Sequence, residues 1–281
     1  MIIAANCYIG EFGWELFCWQ GFLRAMARDG HDVVVSCIKG QELLYGDFAK
    51  AISSFELVVN DRSQQDDANM WMNAPHTLRH VGLQGEWPDK IDRTIRASTY
   101  RTRWWLEDPM PQQAFVSYYQ SPVHGCGYDV LLHIRDRHMT AYKTEFRNWP
   151  IEHAQKVTDI LLERGLHVAC IGKSFSSLCT KGADDRRDID LYGLRAVMSH
   201  SRVLIGPQSG PTHFAVLCEL PQVSWQSKEE HAERVRKHWN PLNVATRTNA
   251  AAGDSYWRKY KLWLPEANWI VNAALELMEG A

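Results

Sequence analysis

No stretch of this sequence holds enough consecutive apolar residues to cross a bilayer. The opening segment, MIIAANCYIGEFGWEL, has no basic region and soon meets Glu11 and Glu15. Both absences point away from an inserted or secreted chain and towards a cytoplasmic one. Charge of one sign is lacking too. The formal net charge is −2, so no overall field draws the chain onto nucleic acid or an anionic membrane. No Cys-x-x-Cys pair occurs, and the seven cysteines (Cys7, Cys18, Cys37, Cys126, Cys170, Cys179 and Cys218) are odd in number and widely spaced. That excludes a disulfide framework and a cysteine zinc site, and suits thiols buried as small hydrophobes in a reducing compartment. Two nucleotide-binding patterns are missing as well. No G-x-G-x-x-G follows a predicted strand, which argues against a nicotinamide dehydrogenase, and Ile171–Ser176 (IGKSFS) falls short of G-x-x-x-x-G-K-[ST]. No D-x-D falls at the end of a predicted strand to hold magnesium between phosphates; Asp184–Asp188 reads as a solvated loop of alternating acids and arginines.

What is present is an α/β pattern. At 281 residues and 45% hydrophobic, the chain fits two ordinary globular domains. Met1–Cys7 reads as a buried strand, and Trp14–Asp29 as a helix with Leu16, Trp19, Phe22, Leu23 and Met26 on one face. Gly30 ends the helix, and Asp32–Ile38 is the next strand, completing a right-handed β–α–β unit. A short helix around Gln41–Ile52 and a weak strand at Phe55–Asn60 are expected to follow, then a helix over Ile91–Leu106. Tyr118–Gly127 has the Pro and Gly content of a linker. Beyond it the alternation resumes: strands Asp129–Ile134, His167–Ile171, Arg202–Ile205 and Gln222–Trp225, with helices Pro150–Arg164, Leu191–His200 and Gly210–Cys218 between them. Pro265–Met278 is an amphipathic helix.

The most specific segment is Ile205–Trp225, IGPQSGPTHFAVLCELPQVSW. A buried strand ends at Gly206, and Pro207, Gln208, Ser209 and Gly210 make a tight turn. Thr212 and His213 then sit in the first turn of a helix. Free N–H groups and the helix dipole make such a point ready for an anion. An ordinary strand–turn–helix with a Ser cap accounts for the same residues.

Ser209-Gly210-Pro211-Thr212-His213, followed by Ala215 and by Pro221 before a strand, resembles the C-terminal motif of the heptosyltransferase-like family of GT-B glycosyltransferases, the ADP-heptose:lipopolysaccharide heptosyltransferases. That motif is a strand, roughly G-x-D-S-G-x-x-H-x-A, a small apolar helix, a proline and a strand. Gln208 stands where the family has Asp. The N-terminus is similar to the same family, with Ile9-Gly10-Glu11 in place of a Gly-Asp turn.

The resemblance implies an α/β chain of two Rossmann-like, doubly wound domains facing across a cleft. The expected division is an acceptor domain at 1–122, a nucleotide-sugar domain at 123–264, and a C-terminal helix at 265–281 packing back on the first domain. It implies a transferase (hexosyl- or heptosyltransferase type) moving sugar from a nucleoside diphosphate-sugar to an acceptor hydroxyl. The donor is then a co-substrate; no other cofactor and no metal site is expected. Glu11 would be the base that takes the hydroxyl proton, although a carboxylate at a helix start is also favoured by the dipole alone. Gly10, Gln208, Ser209, Gly210, Pro211, Thr212 and His213 would hold the donor, with Tyr192 near its nucleoside.

Other residues are candidates on their own chemistry. His133–Trp149 opens from a strand into a loop with Arg135, Arg137 and Arg147, where guanidinium groups could grip phosphate or an acidic acceptor. Arg135 and Lys173 join the donor set. Glu15, Arg147 and Trp149 are acceptor candidates, and Glu15 is the reserve base. Two further readings stand beside the leading one. Arg93, Arg96, Arg101 and Arg103 interleave with Tyr100, Trp104 and Trp105, which would suit a hydroxymethylated DNA base as acceptor. A non-catalytic nucleotide-sugar-binding protein is the other, permitted by the Gln208 departure.

Overall fold

The computed structural model describes residues 1–8, 12–56, 90–95, 112–121, 127–137, 147–226, 229–250 and 264–280. The chain divides into two compact units, Met1–Phe115 and Val116–Ala281.

The first unit is a parallel four-stranded sheet. Its strands are β1 (Ile2–Ala5), β2 (Asp32–Ile38), β3 (Ala51–Phe55) and β4 (Arg93–Ile95), in the order β3-β2-β1-β4. Between β1 and β2 runs one helical stretch. It comprises α1 (Phe12–Trp14), a π-helical turn (Glu15–Trp19) and α2 (Gln20–Arg28). Leu16, Trp19 and Leu23 of the expected stripe are buried, but Phe22 and Met26 are only half-buried and residues 15–21 are enclosed on every side, so the stretch is buried all round at its start rather than along one face. Gly30, at φ +86°, takes the left-handed conformation that ends the helix and turns the chain into β2. Arg24 is buried and fastens α2 to the loop after β2. It donates to both carboxylate oxygens of Asp47, at 2.9 and 2.7 Å, and to Leu44 O at 3.2 Å.

The second unit is a parallel six-stranded sheet, flanked by α-helices. Its strands are β5 (Val130–Leu132), β7 (Val168–Gly172), β9 (Asp184–Arg187), β10 (Val203–Pro207), β11 (Gln222–Gln226) and β12 (Thr246–Ala250). Two short strands, β6 (Ile134–Arg135) and β8 (Ser177–Leu178), pair antiparallel beside it. The helices are α3 (Ile151–Glu163), α4 (Leu191–Ser199), α5 (Gly210–Leu217), α6 (Glu229–His238) and α7 (Ala267–Glu279). The sheet order is β12-β11-β10-β5-β7-β9. From β5 the chain winds outward through β7 to β9, then returns to lay β10 on the other side of β5 and winds the opposite way. The direction reverses between β5 and β10, and doubly wound sheets bind their ligands at the carboxyl ends of strands beside such a switch.

Several expectations are corrected here. The Gln41–Ile52 helix shrinks to a 3-10 turn at Glu42–Leu44, and Ala51–Phe55 is drawn into pairing with β2. Arg93–Ile95, expected inside a helix, is a strand that completes the free side of β1; Ile91 and Asp92 before it are not helical, and the predicted helix beyond Ile95 lies outside the described residues. Asp184–Arg187 is an edge strand, whose charged side chains tolerate solvent on the sheet margin. The division falls after Phe115, before the expected boundary, because the chain is anchored on each side of it. Ala114 N–H donates to Gly21 O at 2.9 Å, and Phe115 packs on Phe17. Tyr118 N–H donates to Leu217 O at 2.6 Å, and its ring packs on Phe214. The C-terminal helix, expected on the first domain, has its buried face in the second: Ile270, Val271, Ala274 and Leu277 share one core with Val157 and Leu161 of α3 and Val203 and Val223 of the sheet. An amphipathic stripe marks the face that is buried and leaves its partner open.

Candidate functional site

β10 and β5 pair side by side up to Ile205 and Leu132. A β-carbon at Gly206 would lie 2.8 Å from the His133 carbonyl oxygen, and one at Gly172 would lie 2.9 Å from His133 Nδ1. Gly172 therefore leaves room for the buried His133 imidazole, and Gly206 for the His133 backbone. His133 Nδ1 lies 3.2 Å from Ile171 O, and burial holds its pKa down at about 4, so the ring is neutral.

The chain leaves β10 through Gln208 and Ser209 and enters α5 at Gly210. Ser209 N–H donates to Thr212 Oγ1 at 2.8 Å, and that hydroxyl donates to Ser209 O at the same distance. His213 N–H closes the first helical bond to Ser209 O at 3.1 Å. Pro211 sits in the first turn, where its missing N–H costs no helical bond. Gln208 is 4% exposed, yet neither its amide nitrogen nor its amide oxygen has a hydrogen-bond partner, while the half-buried Ser209 forms a capping box with Thr212. Buried polar groups cost about 1–3 kcal/mol each when left unmet.

His213 is buried, with its pKa lowered to about 3 by burial first, then by Arg234 and Arg147. Its ring meets the Trp239 ring edge-on, centroids 4.7 Å apart. Arg234 lies 4.4 Å over the same indole. The Trp239 indole thus links the Arg234 guanidinium to His213 in the first turn of α5.

The remaining candidates are placed as follows. Arg135 is buried, and its guanidinium donates to Asn148 Oδ1; the Asn148 amide in turn bonds the backbone of Arg137 in both directions at 3.0 Å. Lys173 Nζ donates to Ile189 O at 3.1 Å, tying the loop after β7 to the loop after β9. An Asp-x-Asp does follow a strand end here, at Asp188 and Asp190. Asp188 accepts from Ser174 N–H at 3.0 Å and Asp190 from Gly193 N–H at 2.7 Å, so both serve backbone. Among the described residues no group of three or more His, Cys, Asp or Glu side chains could hold a metal ion. Tyr192 is exposed in the first turn of α4. The charge of Arg147 contributes to lowering the His213 pKa.

Two acceptor candidates are corrected. Trp149 is 1% exposed and packs edge-on to Trp225 at 4.8 Å, its indole N–H donating to His153 Nδ1 at 2.9 Å; it is a core residue. Glu15 is 1% exposed and accepts from Tyr45 OH at 2.7 Å and Gln41 Nε2 at 2.9 Å, inside the first unit. Gly10 and Glu11 lie outside the described residues. Sequence reasoning missed Arg234 and Trp239, which follow the last predicted strand; the only signal was a helix starting on Glu229-Glu230 and ending on Arg236-Lys237-His238, in the order the dipole favours. Among the described residues no helix is long and apolar enough to cross a membrane.

No protein-family model matches the sequence, and no curated protein matches it. Solved structures do match, over nearly the whole chain. A family 9 glycosyl transferase from Veillonella parvula shares 12% identity, with a TM-score of 0.60 and coverage of 99% of this chain and 98% of that one. The E. coli ADP-heptose LPS heptosyltransferase II shares 9%, with a TM-score of 0.58 and full coverage of both chains. E. coli heptosyltransferase WaaC, with ADP-2-deoxy-2-fluoro heptose, shares 12%, with a TM-score of 0.56 and coverage of 99% and 100%. This chain therefore has the fold of family 9 glycosyltransferases and heptosyltransferases, built from parallel α/β sheets.

Proposed function

We propose that this protein is a glycosyltransferase that moves a sugar from a nucleoside diphosphate-sugar to an acceptor hydroxyl, and that the turn Gln208–His213 holds the donor diphosphate. One observation carries the reading. Gln208 keeps both ends of a buried amide unsatisfied at the N-terminus of α5, beside the switch between β5 and β10. A diphosphate offers acceptors for the helix N–H groups and Ser209, and the attached sugar offers hydroxyls for the amide. The fold likeness supports the same reading, since one of the similar structures carries an ADP-sugar analogue.

In this reading the acceptor oxygen attacks the anomeric carbon, the bond to the diphosphate oxygen breaks, and Glu11 takes the acceptor proton. Protein cations and the α5 terminus offset the leaving charge, a task that a divalent metal performs in other designs. Calorimetric titration with nucleoside diphosphates, with and without EDTA, tests the donor half. Binding that survives EDTA supports the reading, and no binding by any of them rejects it. Glu11→Gln tests the chemical half: transfer should be lost while donor affinity persists. Sugar-nucleotide binding without transfer to any hydroxyl acceptor would instead favour a non-catalytic binder.

A further inference from the structure

Arg234 and Trp239 belong to the segment after β11, away from the turn in sequence, yet they meet it in space. The guanidinium of Arg234 lies 4.4 Å over the indole of Trp239. Trp239 is buried, and its ring also receives His213, which stands in the first turn of α5. One indole thus joins a cation to the helix start. Two acids of α6 pair within the helix, Glu229 with Arg236 and Glu233 with Lys237. A second, independent sign of a ligand here is the buried Gln208 amide, unsatisfied at both ends.

We propose that Arg234 stabilises the negative charge that grows on the departing diphosphate, and that Trp239 is the positioning residue that holds the guanidinium plane in place. The proposal rests on the donor reading above and names the cation that does the work. A planar guanidinium can stack on an aromatic face and still direct its N–H groups edgewise at phosphate oxygens, which an ammonium cannot. The electron pair of the broken bond from anomeric carbon to oxygen leaves with the diphosphate, and Arg234 donates hydrogen bonds to it without giving up its proton.

The test is titration of the intact protein with adenosine, uridine, guanosine, cytidine and thymidine diphosphates and their monophosphates. It compares the native chain with Arg234→Gln, Trp239→Leu and the double variant. For Arg234→Gln, diphosphate affinity should fall roughly tenfold to a hundredfold, the scale of a hydrogen bond to a charged group, with monophosphate affinity nearly unchanged. Trp239→Leu should show the same selective loss, and the double variant should be no weaker than Arg234→Gln, since both act through one contact. Arg234→Lys should recover only part of the loss. Where Trp239→Leu does not fold, Trp239→Phe serves, with a smaller selective loss expected. A ratio of diphosphate to monophosphate affinity that Arg234→Gln leaves at the native value overturns the role of Arg234. Additive losses in the double variant overturn the positioning role of Trp239. If the native protein binds no diphosphate at all, the donor reading falls and this assignment falls with it.

Discussion

Gly206 faces the backbone of His133, and a methyl group there would sit 2.8 Å from the His133 carbonyl oxygen. The obstacle is backbone within the sheet, so it cannot swing aside as a flexible side chain can. Gly206→Ala should therefore destabilise the protein by about 1–3 kcal/mol, the scale of an overpacked core. Gly172→Ala should cost at least as much, because Gly172 also has φ +127°. Urea unfolding of both variants measures this, and native-like midpoints would refute it.

Buried histidines set the acid limb of stability. Burial holds His133 at about 4 and His213 at about 3, both below the ordinary histidine value of 6.5. The unfolded chain then binds more protons than the folded one between those values and 6.5. The stabilisation is complete above pH 6.5 and is lost as pH falls through the folded values, on the order of several kcal/mol for the two together. Thermal unfolding from pH 8 to pH 4 should show a declining midpoint, and His213→Gln should flatten that decline.

Gln208 offers a test that separates ligand recognition from folding. Replacing its amide with the similarly sized, apolar side chain of Met removes two buried, unsatisfied atoms. Gln208→Met should stabilise the free protein by roughly 1 kcal/mol or more and reduce the extra affinity that the sugar adds to a nucleoside diphosphate. Destabilisation of the free protein would mean that the amide serves the fold.

Gly210→Val probes the turn itself. A bulkier residue at the start of α5 should weaken nucleoside diphosphate binding by about 1–3 kcal/mol, through polar partners left unmet. Circular dichroism would confirm that the variant folds. Unchanged affinity in a folded variant would count against the turn.

Glu15 should matter for stability. Its carboxylate accepts from Tyr45 OH and Gln41 Nε2. Glu15→Gln would set an amide NH2 against one of these donors and should cost about 1–3 kcal/mol, as should Tyr45→Phe, by leaving a carboxylate oxygen short of a partner. Denaturant midpoints would show it.

The turn at Ser209–His213 was legible because each of its features is local: a strand that stops at glycine, a turn, a proline and a helix start lie within a few residues of one another. Other features were not, because they depend on partners far away in sequence. Nothing near Trp149 says that Trp225 will cover it, and nothing near Glu15 says that Tyr45 and Gln41 will turn inwards to meet it. Arg234 shows the same limit from the other side, since its place beside His213 comes from the return of α6 after β11, and its spacing in the sequence carries no trace of that. The charged β9 hid as a loop because an edge strand needs no alternation of apolar residues.

The C-terminal helix lies in the same core as the strands that carry the turn, so one uninterrupted stretch of chain from Val116 onward encodes the cradle and all of its scaffold. Such a stretch is a module in the genetic sense. A fragment that begins at Val116 would carry every residue of the cradle, and unfolding of that fragment alone would measure whether the module is also a folding unit.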